Sequence, residues 1–341
     1  MKARSLPFTT SLLLLASFLA NAQTSIAPGS GNDYQAAVVR PWEEPAVRIA
    51  VFERLDASFS GDLWVTRSDD GGETWDAPEP VQASAANERH PSLVQTAPDR
   101  FQLFHLSDAT GGFRIHRAES DDGRAFHPAG AIDLGWASPG EINPQVIRAA
   151  DGTLVLSYHR LGGAAYVARS MDAGASWDSL RTQVSPAAAA LPRLTQRAAD
   201  GRFLLAYQTG SNPVSIWTRS SDDLADWSDP VRLVAGGNNH DAWPLALADG
   251  TWAVLWARVD AGAFQIHSSH SADGSAWSAP RAQSDRPGLN NVEPFALPNG
   301  AGRVELYWAA GQLPGDADYD IVRVADAVVV EGIFAHGFEE H

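Results

Sequence analysis

Six short polar clusters recur along the 341-residue chain, and they hold most of the side chains able to do chemistry: Asn32-Asp33-Tyr34, Glu88-Arg89-His90, Glu141-Ile142-Asn143, Arg193, Asn238-Asn239-His240-Asp241 and Asn290-Asn291-Val292-Glu293. A second set comprises Glu53-Arg54-Leu55-Asp56, His159-Arg160 and Arg258-Val259-Asp260. Carboxylates that converge from distant segments are the equipment of general acid–base chemistry, and hydrolysis of a glycosidic bond needs two of them at suitable spacing. Glu141, Asp241 and Glu293 are the candidates. Arg54, Arg160 and Arg258, with Arg89 and Arg193, supply planar guanidinium forks that can hold a carboxylate through paired bonds. Arg54, Arg160 and Arg258 could equally pair with a neighbouring Asp or Glu, so a plain salt bridge is the competing reading. His90 and His240 offer further polar contacts, and Trp136 and Trp243 offer flat faces that could stack on a sugar ring or simply pack. His90, His240 and Asp241 lack tight ligand spacing, and His267 and His270, three apart on a strand-like segment, point to opposite faces. No metal and no cofactor is assigned.

What positions these residues is a repeat. Ser68-Asp69-Asp70-Gly71-Gly72-Glu73-Thr74-Trp75 returns as Ser170-Met171-Asp172-Ala173-Gly174-Ala175-Ser176-Trp177, and a shorter form appears before Phe126, Trp227 and Trp277. The closing aromatics are separated by 51, 51, 50 and 50 residues. A fixed period near fifty marks a repeat architecture. In each copy the Asp and Ser can accept backbone N–H bonds within their own hairpin, Gly supplies the positive φ, and the aromatic pins the turn to its surroundings. All five aromatics are expected to be buried on one rim.

Between these turns, short apolar or alternating segments repeat four to a unit, giving six units between about residue 30 and residue 330. Asp151-Gly152, Asp200-Gly201 and Asp249-Gly250 join first and second strands as hairpin turns do. The sixth unit carries Ala325-Asp326-Ala327 where a box would close, and its fourth strand is expected over residues 327–331. Four-stranded units of this length are propeller blades. The expected fold is therefore all-β, a six-bladed β-propeller of four-stranded antiparallel blades over residues 23–331. Loops leading into the innermost strands share one face with the loops between second and third strands. That face carries both polar sets, and its central mouth is the expected ligand site, with a merely solvated channel as the plainer alternative.

The S-x-D-(x)-G-x-x-W pattern resembles the Asp-box, or BNR, repeat of sialidase-like propellers. The resemblance implies boxes on the rim, away from the catalytic centre. Ala50-Val51-Phe52-Glu53-Arg54-Leu55-Asp56 is similar to that family's first blade, where such an Arg belongs to the active site and such an Asp serves as acid/base. Gly140-Glu141, followed by Arg160, is similar to the stretch that carries a catalytic Glu and a carboxylate-binding Arg. Two places differ. Tyr34-Gln35-Ala36-Ala37 stands where the family has Arg-Ile-Pro, and Pro294-Phe295-Ala296 stands where it has a nucleophilic Tyr. Glu141 and Glu293, across the axis, with Asp241 one blade from Glu293, form a second possible carboxylate set.

Residues 1–22 read as a secretory signal peptide, with Lys2 and Arg4 before an apolar run and Ala20-Asn21-Ala22 at the cleavage site. Export to the periplasm or beyond is expected, with cleavage after Ala22. The run is too short to span a bilayer, so no membrane insertion is expected. There is no Cys, which excludes thiol chemistry and disulfides, and the only lysine is Lys2. The net charge of −16 becomes −18 without Lys2 and Arg4. An acidic chain with no basic stretch argues against nucleic acid. The expected protein is a monomer directed at glycans or glycoconjugates, either as a sialidase-type exo-glycosidase or as a non-catalytic binding propeller. Residues 332–341 form a tail, read as a frayed end or a sorting segment.

Overall fold

Runs such as Ile49-Ala50-Val51-Phe52, Leu154-Val155-Leu156 and Ala253-Val254-Leu255-Trp256 are apolar at every position, not at alternate ones. A strand covered on both faces reads this way, and these are second strands, each wedged between two neighbouring blades. The computed structural model of the protein describes residues 23–330, apart from residues 30, 83, 179–181, 187, 285–287, 301 and 313–317. The expected signal peptide and tail lie outside the described residues. The described strands form six four-stranded antiparallel sheets, the blades of a β-propeller. The core is divided accordingly. Six apolar clusters each join two adjacent blades, and the one containing Ala50, Phe52, Tyr307 and Ile321 joins the sixth blade to the first.

Ring closure differs from the sequence reading. In the sixth blade the third strand runs unbroken over Asp320–Val328 and so takes up the start of the expected fourth. The outer strand is Gln23–Ser25, which pairs antiparallel with Asp320–Val328 through Gln23–Val324, Thr24–Arg323 and Ser25–Val322. The two ends of the propeller thus meet in one sheet. The same seam holds a buried ionic cluster. Glu305 Oε2 accepts from Arg48 Nε at 2.8 Å and from Arg40 Nη2 at 3.1 Å. Its Oε1 accepts from Arg323 Nε at 2.7 Å and from the Tyr307 hydroxyl. Arg323 then donates to the carbonyls of Gly71 and Gly72, in the first box.

The boxes work as local hydrogen-bond cages. Asp70 Oδ1 accepts from the backbone of Glu73 and Thr74 at 3.0 and 2.9 Å, and Ser68 Oγ accepts from Gly72 N at 2.8 Å. The same bonds recur at Asp122, Asp172, Asp223 and Asp273. Hydrogen bonds from Ser176 hold Asp172 down to about 2. The box aromatics pack less deeply than the sequence reading expected. Phe126 is buried, at 5% exposure, whereas Trp75, Trp177, Trp227 and Trp277 are half-buried at the edges of the inter-blade clusters. The box sits at the outer rim, where a large indole keeps one edge in solvent.

The box glycine is what touches the preceding blade. A Cβ on Gly123, whose φ is +69°, would stand 2.2 Å from Ile49 Cδ1, whereas one on Gly71, at φ +80°, would meet nothing within 4 Å. Gly71→Ala is expected to cost about 1–2 kcal/mol through its left-handed backbone alone. Gly123→Ala adds overpacking to that strain and is expected to cost about 2–5 kcal/mol. Chemical denaturation of the two variants checks this, and equal losses would mean that Ile49 yields freely.

Candidate functional site

The face opposite the boxes is identified by its bonds. Leu55 N donates to Asn32 O, Gly140 N to Phe113 O, and Val259 N to Asn238 O, so second-to-third-strand loops lie against the loops that lead into inner strands. Conversely, Gly71 N in the first box bonds Ala46 O, and Arg197 bonds Gly250 O and Ala272 O, at the turns of the other face.

The polar clusters do not sit in loops, as the sequence reading had them, but on the inner strands themselves. Those strands begin earlier than expected, for example Glu88–Ala97, Glu141–Arg148, Asn239–Ala246 and Leu289–Pro298. Each inner strand carries one extra residue relative to its neighbour, with register shifts at Tyr34/Ala37, Arg89/Ser92, Ile142/Gln145, Ala190/Arg193, His240/Trp243 and Val292/Phe295. Inside each bulge one residue is left-handed: Gln35, His90, Asn143, Leu191, Asp241 and Glu293, with φ of 47°, 54°, 54°, 48°, 57° and 55°. None is Gly, so each carries strain of about 1–2 kcal/mol. A bulge re-aims a side chain, and a strained position repeated in all six blades around one axis makes this ring the candidate site. The sequence signal was present but misread. Pro91, Pro144, Pro192 and Pro294 each follow a left-handed residue, and they looked like strand starts when they mark bulges inside strands.

The ring bonds to itself. Glu293 accepts from Gln35 N at 3.0 Å and from Gln35 Nε2 at 2.9 Å. Gln35 Oε1 in turn meets His90 Nδ1, and His90 N donates to Glu53 Oε2 at 2.9 Å. Asp241 N donates to Gln208 Oε1 at 3.0 Å. Burial pushes Glu293 well above the usual carboxyl range, and the charges of Glu53 and Asp241 push it further. Burial also raises Asp241, but the charges of His240 and Arg193 and a backbone N–H from Glu293 oppose the rise. Burial lowers His90 to about 4 and Arg193 to about 10. Behind the ring an axial cavity of about 710 Å³ is lined by all six inner strands, with Gln35, Arg193, Asp241 and Glu293 at one end and Arg40 and Trp42 among its other lining residues.

The remaining candidates take distinct places. Arg54 makes a paired bond with Asp33, at 2.6 and 2.9 Å, and lies over the Trp64 ring at 4.3 Å. Arg89 donates to Glu53 Oε1 at 2.8 Å. Arg114 and Arg160 share Glu141 Oε1 at 3.3 and 3.1 Å, and Arg160 stacks 4.2 Å from the Trp136 ring. That face of Trp136 is therefore occupied. Trp243 lies on an inner strand and not in a loop; it packs 4.5 Å from Phe295 and donates to Ala296 O. His240 bonds Asn238 and meets the Phe264 ring edge-on. Arg258, at the end of a second strand, makes no ion pair among the described residues. Asp56 is exposed, and its Oδ1 accepts from Ser58 Oγ, Ser58 N and Ser60 N, which holds its pKa below the usual carboxylate range. The structure thus brings Asp241 and Glu293 into the ring and leaves Asp56 in its own hairpin.

A family model described as BNR repeat-like domain matches residues 43–238. Among solved structures, a protein of unknown function from Dyadobacter fermentans superposes with a TM-score of 0.68 at 14% identity, over 91% of this chain and 98% of that one. The Hadza microbial sialidase Hz136 gives 0.64 at 14% identity, over 87% of this chain and 66% of that one. The endo-arabinase of Bacteroides thetaiotaomicron gives 0.51 at 15% identity, over 71% and 94%. At these identities the likeness is one of fold. No curated protein matches the sequence.

Proposed function

The chain belongs to the BNR repeat-like domain family, and from that premise we propose that it is a glycoside hydrolase whose reacting carboxylates are Glu293 and Asp241. One observation carries the reading: two acidic side chains from adjacent blades share the strained ring, both pushed toward the neutral form by burial, and Glu293 pushed further by the charges of Glu53 and Asp241. Such a pair holds one proton at a pH where isolated carboxyls hold none. Glu293 takes that proton, because Glu53 and Asp241 repel its charged form, while His240 and Arg193 favour a charged Asp241. Glu293 then protonates the leaving glycosidic oxygen. Asp241 acts from the other side of the bond, either on the sugar carbon or on a water.

Asp56 and Glu141 are the carboxylates the family resemblance implies, and they are the alternative pair. A sialidase-type exo-glycosidase would need Arg side chains open to a sugar carboxylate, and Arg54, Arg89 and Arg160 each face a resident one. The reading is therefore kept at glycoside hydrolysis. Export belongs to the same proposal and is supported by residues 1–22. Cleavage after Ala22 would leave Gln23, the first residue of the closing strand, as the mature N-terminus.

A non-catalytic glycan-binding propeller is the second reading. It is favoured by Gln35, which already bonds both oxygens of Glu293. Hydrolysis of a panel of chromogenic glycosides, sialosides included, separates the two. Turnover that is lost in Asp241→Asn and retained in Asp56→Asn supports the ring pair. Loss in Asp56→Asn and Glu141→Gln alone moves the site to the second pair, and binding without any turnover gives the second reading.

A further inference from the structure

Most cations around the mouth are matched, Arg258 excepted, and the buried groups left without partners include acceptors. Arg54 holds Asp33, Arg89 holds Glu53, and Arg114 with Arg160 holds Glu141. All three carboxylates are buried. A guest carboxylate could engage one of these Arg only by stranding the resident acid in a low-dielectric site, which makes the exchange unfavourable. Arg193 donates to the carbonyls of Asn143 and Pro192, and Asp241 supplies its nearby countercharge.

On the other side of the balance, Asn143 is 8% exposed and its Oδ1 finds no donor. His159 is 7% exposed and its Nδ1 is also without a partner. Gln35 Nε2 donates to Glu293, so Gln35 Oε1 is the acceptor toward His90. The proton of neutral His90 is thereby placed on Nδ1, and Nε2 is left with a lone pair. Arg193 and His159 are both close enough to His90 for their charges to act on it. Asn143, itself one of the strained ring residues, bonds Arg193 through its carbonyl. A buried acceptor with no donor is costly, and such a group in a native structure asks for a donor from outside the chain.

Resting on the reading of the ring as a glycan site, we propose that the mouth binds a neutral, hydroxyl-bearing glycosyl unit and discriminates against carboxylated sugars, with Asn143 and His90 accepting from the ligand hydroxyls and His159 Nδ1 as a further polar contact. Sugar hydroxyls supply the missing donors and bring no charge into a site whose charges already balance. A carboxylate would face Asp241, Glu293 and Asn143 Oδ1, and would compete with Asp241 for the charge of Arg193. Arg258 is the cation outside this balance: like Arg54 and Arg160 it lies toward the end of a second strand, but its register partner is Asn239 and not an acid, so it is the Arg whose replacement tests the balance.

The test is direct binding of matched pairs to the mature protein by calorimetry: methyl galactoside against methyl galacturonide, methyl glucoside against methyl glucuronide, and a methyl sialoside. For at least one pair the neutral member is expected to bind about tenfold tighter or more than its carboxylated counterpart. That affinity should be the same at about 50 and 500 mM salt, since no ion pair forms. Asn143→Gly keeps the left-handed backbone without strain and removes the acceptor. It is expected to weaken the neutral ligand about tenfold with no fall in melting temperature. Equal or tighter binding of a carboxylated sugar overturns the proposal, above all if Arg258→Gln abolishes it. Binding of neither member of any pair, or unchanged binding in Asn143→Gly, overturns it as well. Because binding is read without turnover, a failed glycoside panel sinks the hydrolase reading alone, whereas hydrolysis of an acidic glycoside sinks this inference and leaves hydrolysis standing.

Discussion

Glu293→Gln is expected to lower glycoside turnover by about two to four orders of magnitude, the usual cost of removing a general acid or base, and to raise stability at neutral and alkaline pH. The two effects have one origin. Burial and the charges of Glu53 and Asp241 favour the protonated form of Glu293, so its folded-state pKa stands above the unfolded value. Between those two values the folded state binds more protons than the unfolded state, and stability falls as pH rises through the window. Gln removes the titration and keeps a carbonyl to accept from Gln35. Wild type should therefore lose stability from the ordinary glutamate range upward, and the variant should follow a flatter curve that lies above it at high pH. The measurements are kcat on the best substrate of the panel and denaturation midpoints from about pH 4 to pH 9. Turnover within a factor of about ten of wild type would take the acid role from Glu293. A variant less stable than wild type at every pH would mean that its two bonds to Gln35 outweigh the charge that burial opposes.

The two halves of this site were unequally legible in the sequence. The boxes are local objects: Asp70 finds its donors at residues 73 and 74, so motif and structure coincide. The polar ring was half visible. Asp241 and Glu293 could be placed on adjacent blades by counting, but the bulges that turn them inward are a register property, set by how Trp243 lies opposite Leu255 and not by any neighbour in sequence. Pairing hid in the same way. Asp33 and Arg54 are register partners, which converts an apparent anion-binding Arg into one half of a closed ion pair. Closure was not legible, because Gln23–Ser25 is too short for any periodicity and its partner strand lies at the far end of the chain. The sixth blade looked complete because 327–331 is apolar enough to pass for an outer strand.

That seam gives the largest expected effect on stability. Glu305→Leu is expected to destabilise the protein by about 3–5 kcal/mol, the cost of removing one member of a buried ionic group and leaving its partners uncompensated. Glu305 is 1% exposed, and it is the shared acceptor for Arg40, Arg48, Arg323 and Tyr307. Without it, Arg48 and Arg323 remain as buried cations, and Arg323 retains only the box carbonyls and a looser pairing with Glu73 at 3.6 Å. The loss falls where the first and last blades meet, so it should open the ring before it melts any blade. Hydrogen exchange should rise first in Gln23–Ser25 and Asp320–Val328. Acid should reproduce part of the effect. Burial raises the Glu305 pKa, but the Tyr307 and Arg323 hydrogen bonds and the Arg charges outweigh it, so the net pKa lies below the ordinary value. A depressed carboxyl contributes stability above its unfolded pKa and loses it as pH falls through the folded one. Wild type should thus converge on the variant in strong acid. Glu305→Leu combined with Arg48→Met and Arg323→Met should recover much of the loss, because a fully apolar replacement strands no charge. A triple variant no more stable than Glu305→Leu, or exchange that rises evenly over all six blades, would show that this cluster does not hold the ring closed.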